Sequence, residues 1–194
     1  LRQTNREFTI YIGDDASPEP IRETLDEALE SSRGFNRIIY HRFPENLGGR
    51  NLVAQWMRCI GLTRNEKWIW LFSDDDLADP GCVESFYRTL ERHPGHRLYR
   101  FNTRKIDAEG KRLRDNRFPD SMSVNEFLRL KLGFHQESYV VEWIFSRRAA
   151  AEAGWFPELP HAWAADDLFW VRLAGDAGIR TIPGPVVSWR YSGA

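Results

Sequence analysis

The sequence is poor in cysteine and in long apolar runs. Its two cysteines, Cys59 and Cys82, are too few for a disulfide framework and lack the spacing of a zinc site. A reducing compartment therefore suits the chain best, and we expect a cytoplasmic protein. No apolar run approaches the roughly 20 residues that a membrane-spanning helix needs, and the first residues do not resemble a signal peptide.

The chain also lacks an excess of charge of either sign. Its 27 basic and 28 acidic side chains nearly cancel, so it has no overall field that would collect nucleic acid or an anionic membrane. An anionic ligand must then be held by a local site. At 194 residues, of which 42% are hydrophobic, the chain can bury one sizeable core, which favours a single domain over residues 1–194.

The first half of the chain alternates between two hydrophobic periods, which is the pattern of βα units around a mostly parallel sheet. Short apolar strands are predicted at 8–12, 37–41 and 68–72, with amphipathic helices between them. The alternation weakens in the second half, where helices are predicted at 124–132 and 166–178. We therefore predict an α/β fold with a doubly wound, mixed but mostly parallel sheet flanked by helices.

Acidic residues follow a predicted strand or begin a predicted helix at three places: residues 14 and 15, residues 74–76, and residues 166 and 167. Because ligands of open α/β sheets bind beyond the carboxyl ends of the strands, we expect the first two groups to converge on one crevice. Three adjacent aspartates repel one another, which favours a cation among them. Hard oxygen ligands and the scarcity of histidine suit Mg²⁺ or Mn²⁺.

A structural role is the alternative interpretation of each group. Aspartates often cap helices at strand-to-helix turns, and this role suffices for Asp14 and Asp15 taken alone. Three aspartates in a row after an apolar strand exceed what one cap requires. Asp166 lies where the helix dipole favours an anion whatever its role, so both interpretations stay open there.

Taken together and in order, four segments resemble the inverting family 2 glycosyltransferases of the GT-A fold. The segments are 1–17, 46–49, 70–76 and 166–173. Each motif is weak singly, but the ordered set is specific and spans essentially the whole chain. The resemblance implies a GT-A type, Rossmann-like domain in which residues 1–102 bind the nucleotide sugar and residues 103–194 form the acceptor and catalytic half.

The resemblance also implies roles for the residues of the first half. In the family, aspartates after the second strand contact the donor nucleoside, and they correspond to Asp14 and Asp15. The Asn-x-Gly loop near the nucleotide and diphosphate corresponds to Asn46 and Gly48. Arg50 would then be a phosphate partner.

The metal and the base are implied in the same way. The family's Asp-x-Asp region corresponds to Asp74, Asp75 and Asp76, the acidic run, with Asp74 on the nucleotide sugar and the other two on Mn²⁺ or Mg²⁺. The acidic motif that begins the late helix supplies the base, and counting back from Arg172 assigns that role to Asp166. Such an enzyme moves a sugar from a nucleoside-diphosphate sugar to the hydroxyl of a saccharide or another acceptor, with inversion.

The sequence departs from the family pattern at several points. The family's first strand has no counterpart, so we expect an N-terminally truncated domain. Ser73 stands where the first aspartate of Asp-Ser-Asp-Asp often lies, and Ala165 stands where a glutamate often precedes the base. Ser192 stands where many members place a histidine on the metal, so we expect that ligand to be missing from the metal shell.

Two other functions fit parts of the sequence. An aspartate-based phosphatase also needs an Asp-x-Asp after a buried strand, which Asp74 and Asp76 provide, but its strand usually comes early in the fold and Lys131 has no obvious context as the activating lysine. A non-catalytic nucleotide- or sugar-binding module that kept the GT-A fold is the second alternative. Turnover separates this module from an enzyme.

Overall fold

The computed structural model describes residues 2–19, 21–31, 35 and 37–191. The strands within these residues are β1 (Ile10–Asp14), β2 (Ile38–Arg42), β3 (Trp68–Trp70), β4 (Leu77–Ala78), β5 (Leu98–Ile106), β6 (Arg112–Asn116), β7 (Ser121–Met122), β8 (Trp143–Ser146) and β9 (Ile179–Arg190). The α-helices are α1 (Arg22–Ser31), α2 (Leu52–Leu62), α3 (Cys82–Arg92), α4 (Val124–Leu132), α5 (Arg147–Glu152) and α6 (Ala165–Ala174). Among the described helices, none has the length and apolar character needed to cross a membrane.

The strands form two sheets. β1 and β2 pair in parallel, and a larger mixed sheet has the order β3-β8-β5-β9-β4, with β6 added to β5 and β7 added to β9. In the larger sheet β5 and β9 are parallel, whereas the other pairs are antiparallel. The predicted α/β fold class, with helices flanking a mixed sheet, is confirmed.

The larger sheet is buried on both faces because its central strands alternate between two cores. In β8, Trp143 and Phe145 point into one core while Ile144 points into the other. Leu98 and Tyr99 of β5 divide in the same way. Burying each such side chain stabilises the fold by roughly 1.5–3 kcal/mol. Because both faces of these strands are covered, consecutive residues are apolar, not every second one.

Helix α6 is fixed against the first of these cores. Ala165, Phe169, Trp170 and Leu173 are buried, at spacings that place them on one side of the helix. The Trp170 ring stacks on that of Trp143 in β8, with centroids 5.1 Å apart. The first turn of α6, which carries Asp166 and Asp167, is thereby set against the sheet.

Helix α4 begins with a strong local signal. The Ser123 hydroxyl accepts a hydrogen bond from the Glu126 N–H, and the Glu126 carboxylate accepts one from the Ser123 N–H. This reciprocal pair satisfies two N–H groups that the helix cannot satisfy itself. Gly133 ends the helix, so Lys131 lies in its last turn.

Candidate functional site

Asp14, at the end of β1, is engaged by its own turn. Its buried carboxylate accepts hydrogen bonds from the Ser17 N–H (2.8 Å) and the Tyr40 hydroxyl (2.6 Å), and Arg42 lies 3.6 Å away. The bond from Tyr40 is the largest effect on its pKa and, with Ser17 and Arg42, holds that pKa below the ordinary value. The carboxylate therefore fixes the turn after β1, and contact with a nucleoside stays a prediction.

Asp15 joins the turn after β1 to the loop at residues 46–49. Its two oxygens accept hydrogen bonds from the N–H groups of Leu47 and Gly48, each at 2.8 Å. A Cβ at Gly48 would lie 2.8 Å from Asp15 Oδ2, so only glycine lets the backbone approach this closely. The structure thus brings together the predicted Asp14-Asp15 motif and the Asn-x-Gly loop.

Arg58 of α2 completes this contact, although it belongs to none of the motifs found in the sequence. Its guanidinium donates to the Asp15 carboxylate and to the Glu45 carbonyl, and it lies over the Phe43 ring, 3.9 Å from the centroid. Burial raises the pKa of Asp15, but the two backbone N–H groups and Arg58 outweigh it and leave the pKa lowered. Asp15 is therefore an ionised anchor of the loop.

Asn46 and Arg50 also interact within this region. The Asn46 amide donates to the Asp15 carbonyl (3.1 Å), and its oxygen accepts from the Gly49 N–H (3.2 Å). Arg50 donates to the Glu45 carboxylate (3.0 Å) and to the Asn46 carbonyl (2.9 Å). Its exposed side chain leaves the guanidinium open to solvent, where a phosphate could reach it.

The three carboxylates of the acidic run differ in their surroundings. Asp74 and Asp75 are exposed, whereas Asp76 is buried and its Oδ1 accepts a hydrogen bond from the Arg190 N–H (2.8 Å). Burial raises the pKa of Asp76 to about 6. Asp76 therefore ties the end of β9 to the turn after β3, whereas the carboxylates of Asp74 and Asp75 are open to solvent.

The described residues hold no group of three or more histidine, cysteine or acidic side chains that could bind a metal by themselves. Mg²⁺ and Mn²⁺ often bind to only one or two carboxylates and complete their shell with phosphate oxygens and water. The exposed carboxylate of Asp75 fits a metal held in this shared way. Ser192 lies outside the described residues.

The two predicted acidic centres of the donor half lie at the carboxyl ends of β1 and β3. These strands belong to different sheets, and strand pairing does not join them. Convergence of Asp14 and Asp15 with the acidic run stays a prediction.

Asp166 lies half-buried in the first turn of α6. The preceding Ala164 has left-handed backbone angles (φ 55°) and gives the helix no side-chain cap. Burial raises the pKa of Asp166, and the charge of Asp167 raises it further. Asp167 instead pairs with Lys131 of α4 at 3.1 Å. Of the two adjacent aspartates, it is Asp167 that forms the ion pair with α4.

A second group of polar residues lies beside α6, and none of the motifs in the sequence includes it. We call Arg100, Lys131, Ser138 and Glu142 the inner polar cluster. Glu142 is fully buried, and it accepts hydrogen bonds from the Ser138 hydroxyl (3.2 Å) and the Tyr139 N–H (3.1 Å). Burial raises its pKa to about 8.

Arg100 is the buried cation of this cluster. Its guanidinium lies 3.8 Å from the centroid of the Phe118 ring and 5.4 Å from that of Trp143. Burial lowers its pKa to about 10, so it stays charged at neutral pH. In the sequence, Arg100 stands between the apolar residues Tyr99 and Phe101 of β5, and this is the signal that marks it as a buried cation.

Comparison with known proteins identifies the family. The model of glycosyl transferase family 2 matches residues 1–155. The fold is similar to that of S. aureus TarS 1–349, with a TM-score of 0.67 and 13% identity over 95% of this chain and 53% of that one. It is also similar to GalNAc-T7, solved with UDP, GalNAc and Mn²⁺, with a TM-score of 0.62 and 11% identity over 98% of this chain and 39% of that one. The chain thus spans about half the length of the TarS fragment and about two fifths of the length of GalNAc-T7. A comparison with proteins of curated function found no match.

Proposed function

The chain belongs to glycosyl transferase family 2, with the GT-A fold, and on that premise we propose that it moves a sugar from a nucleoside-diphosphate sugar to an acceptor hydroxyl with inversion. One observation carries the proposal furthest. Asp75 is an exposed carboxylate in the turn after β3, whereas Asp166 is half-buried in the first turn of α6. Carboxylates in such different environments suit different tasks in one reaction.

The donor would bind against β1, β2 and the loop at residues 46–49, which is hydrogen-bonded to Asp15. Asp14 and Asp15 would shape the turn on the nucleoside side, and the absence of side chains at Gly48 and Gly49 would leave room for the diphosphate beside Asn46. Arg50 would approach a phosphate from solvent. Asp74 would contact the nucleotide sugar itself. The contacts of Asp15 with the loop support this arrangement.

A divalent cation would bind at Asp75, with Asp76 beside it. When bound, Mn²⁺ or Mg²⁺ neutralises the charge that develops on the departing diphosphate. The exposure of Asp75 supports the assignment, and GalNAc-T7 was solved with Mn²⁺. The hydrogen bond from Arg190 to Asp76 fixes the turn that presents Asp75.

Asp166 would act as the general base. It takes the proton of the acceptor hydroxyl while the hydroxyl oxygen bonds to the anomeric carbon and the bond to the diphosphate breaks. The helix dipole favours its ionised form, and this offsets part of the effect of burial. The sugar would lie between Asp166 and the metal, since attack and departure occur on opposite faces.

Binding of nucleoside diphosphates tests the donor half. We expect Mn²⁺ to raise the affinity of the chain for one of UDP, GDP, ADP or CDP, and Asp75→Ala to abolish this increment while the melting temperature without ligand stays unchanged. Isothermal titration with and without Mn²⁺ measures this increment, and Glu109→Ala, in the exposed β5–β6 turn, is the control. Equal affinities with and without metal in the unmutated chain would overturn the metal assignment.

A non-catalytic binding module is the second candidate. The carboxylates of Asp14 and Asp15 are both occupied by the protein's own donors, which favours a structural role for them. Release of nucleoside diphosphate from UDP-, GDP- or dTDP-sugars, dependent on Asp166, distinguishes the enzyme from the module.

A further inference from the structure

Lys131 lies where three segments of the acceptor half meet. From the last turn of α4, its ammonium group contacts Asp167 Oδ1 in the first turn of α6 at 3.1 Å. The same group donates to the Ser138 carbonyl at 3.4 Å. Its side chain and that of Asp167 are largely buried, with 26% and 18% exposed, so solvent screens their attraction less than on an open surface.

A second set of contacts holds the same region from the sheet side. The Ser138 hydroxyl donates to Glu142 (3.2 Å) and accepts from the Trp143 indole N–H (3.2 Å). Trp143 in turn stacks on Trp170 of α6. The first turn of α6 is therefore tied to α4 by an ion pair and to β8 by a ring stack.

The charges around Asp166 show what the ion pair does electrostatically. Asp167 lies beside it on α6, Lys131 faces it from α4, and Glu142 and Arg100 complete the charged groups of the inner polar cluster. Burial raises the pKa of Asp166, Asp167 raises it further, and Lys131 opposes both. Among the described residues, no other cationic side chain forms an ion pair with Asp166 or Asp167, so without Lys131 two neighbouring carboxylates would share a half-buried turn.

We propose that Lys131 is a positioning residue for the base: by pairing with Asp167 it fixes the first turn of α6 and keeps Asp166 ionised. This inference rests on the proposed function, in which Asp166 takes the acceptor proton. Lys131 itself contacts neither the sugar nor the acceptor. It acts through the position and protonation of its neighbours.

Carboxyl ¹³C NMR of the aspartate-labelled chain tests the proposal without any substrate. The signal that disappears in Asp166→Asn identifies Asp166, and its pH titration is compared between the unmutated chain and Lys131→Met. We expect the pKa of Asp166 to rise by at least about half a pH unit in Lys131→Met, because a neighbouring cation favours the ionised form. Lys111→Met, on the exposed β5–β6 turn, should leave it unchanged.

Turnover provides the second measurement. With the donor sugar that supports release of nucleoside diphosphate, Lys131→Met should lower kcat at pH 7 by tenfold or more and move the acidic limb of the pH profile to higher pH. Lys131→Arg should retain most activity. Asp167→Asn keeps an oxygen acceptor for Lys131 and should lose less than Lys131→Met. If Lys131→Met does not fold, Lys131→Gln, which keeps a donor for the Ser138 carbonyl, replaces it.

The outcomes separate the two proposals. If Asp166→Asn retains turnover, the base has been misassigned and the proposed mechanism fails, whatever Lys131 does. If Asp166→Asn loses turnover while the Lys131 variants change neither the pKa of Asp166 nor the pH profile, the role of Lys131 alone is overturned. A loss of turnover with an unchanged pH profile and an unchanged pKa also overturns it, since a purely structural role predicts that result.

Discussion

Asp166 and Asp75 differ in burial, and this difference predicts separable effects. Asp166→Asn keeps the size of the side chain but removes its basicity, so turnover should fall by roughly 10²–10⁴-fold while donor affinity barely changes. Asp75→Ala should weaken metal-dependent donor binding. Steady-state kinetics with donor and acceptor varied separately, together with donor titration, measure both.

Asp167→Asn is the matched control for this comparison, because it alters the same helix turn without removing the base. It should cost much less turnover than Asp166→Asn. If Asp166→Asn weakens donor binding as strongly as Asp75→Ala does, Asp166 is a helix cap and the base lies elsewhere.

At the scale of single elements, the sequence predicted best where the signal is local. The helix predicted at 124–132 coincides with α4, whose first residue is determined by the capping box of Ser123 and Glu126, three residues apart. The helix predicted from 166 begins at Ala165, and its regular part ends at Ala174, followed by a short 3₁₀ turn at Gly175–Ala177.

Features that depend on distant partners were predicted less well. The strand predicted at 68–72 ends at Trp70, which pairs with Ile144, and the 3₁₀ turn at Val140–Glu142 leaves Phe72 without a strand residue to pair with. The contacts of Asp15 with its loop and of Lys131 with Asp167 join residues more than 30 positions apart. A local pattern could mark the acidic residues, but it could not show which cation each would meet.

The loop before α2 provides a test at this scale, because two glycines close in sequence have opposite surroundings. A Cβ at Gly48 would lie 2.8 Å from Asp15 Oδ2, whereas one at Gly61 would meet nothing within 4 Å. Gly48→Ala should therefore destabilise the chain by about 1–3 kcal/mol through overpacking. Gly61→Ala, within α2, should be neutral or stabilise it by up to roughly 1 kcal/mol.

Urea unfolding measures both variants, and titration with the nucleoside diphosphate that binds the unmutated chain adds a functional readout. Gly48→Ala should also weaken that binding, since the loop must move away from Asp15. Equal stabilities for the two variants would show that the Asp15 side chain gives way freely and does not anchor the loop.

At the scale of the whole molecule, β5 belongs to both the donor half and the acceptor half that we predicted from the sequence. The predicted division between a donor half and an acceptor half, at residues 102 and 103, falls within this strand. β5 pairs with β6, β8 and β9, and its side chains enter both cores. A charge buried on this sheet therefore affects the stability of the entire domain, and the inner polar cluster contains such charges.

Glu142 predicts how that stability depends on pH. Its pKa is raised from 4.5 to about 8 by burial, so the folded state holds a proton that the unfolded chain releases above about pH 4.5. A carboxyl with a raised pKa stabilises the fold fully at low pH, and this contribution is lost as the pH rises through the window from about 4.5 to 8. Over this window the loss is on the order of a few kcal/mol.

Glu142→Gln keeps the shape of the side chain and stays neutral, so the free energy of unfolding of this variant should decline less across the window than that of the unmutated chain. Urea unfolding of both proteins at pH 5, 6, 7 and 8 measures the difference. Parallel curves would show that Glu142 is already ionised at pH 5 and that Arg100 compensates its charge.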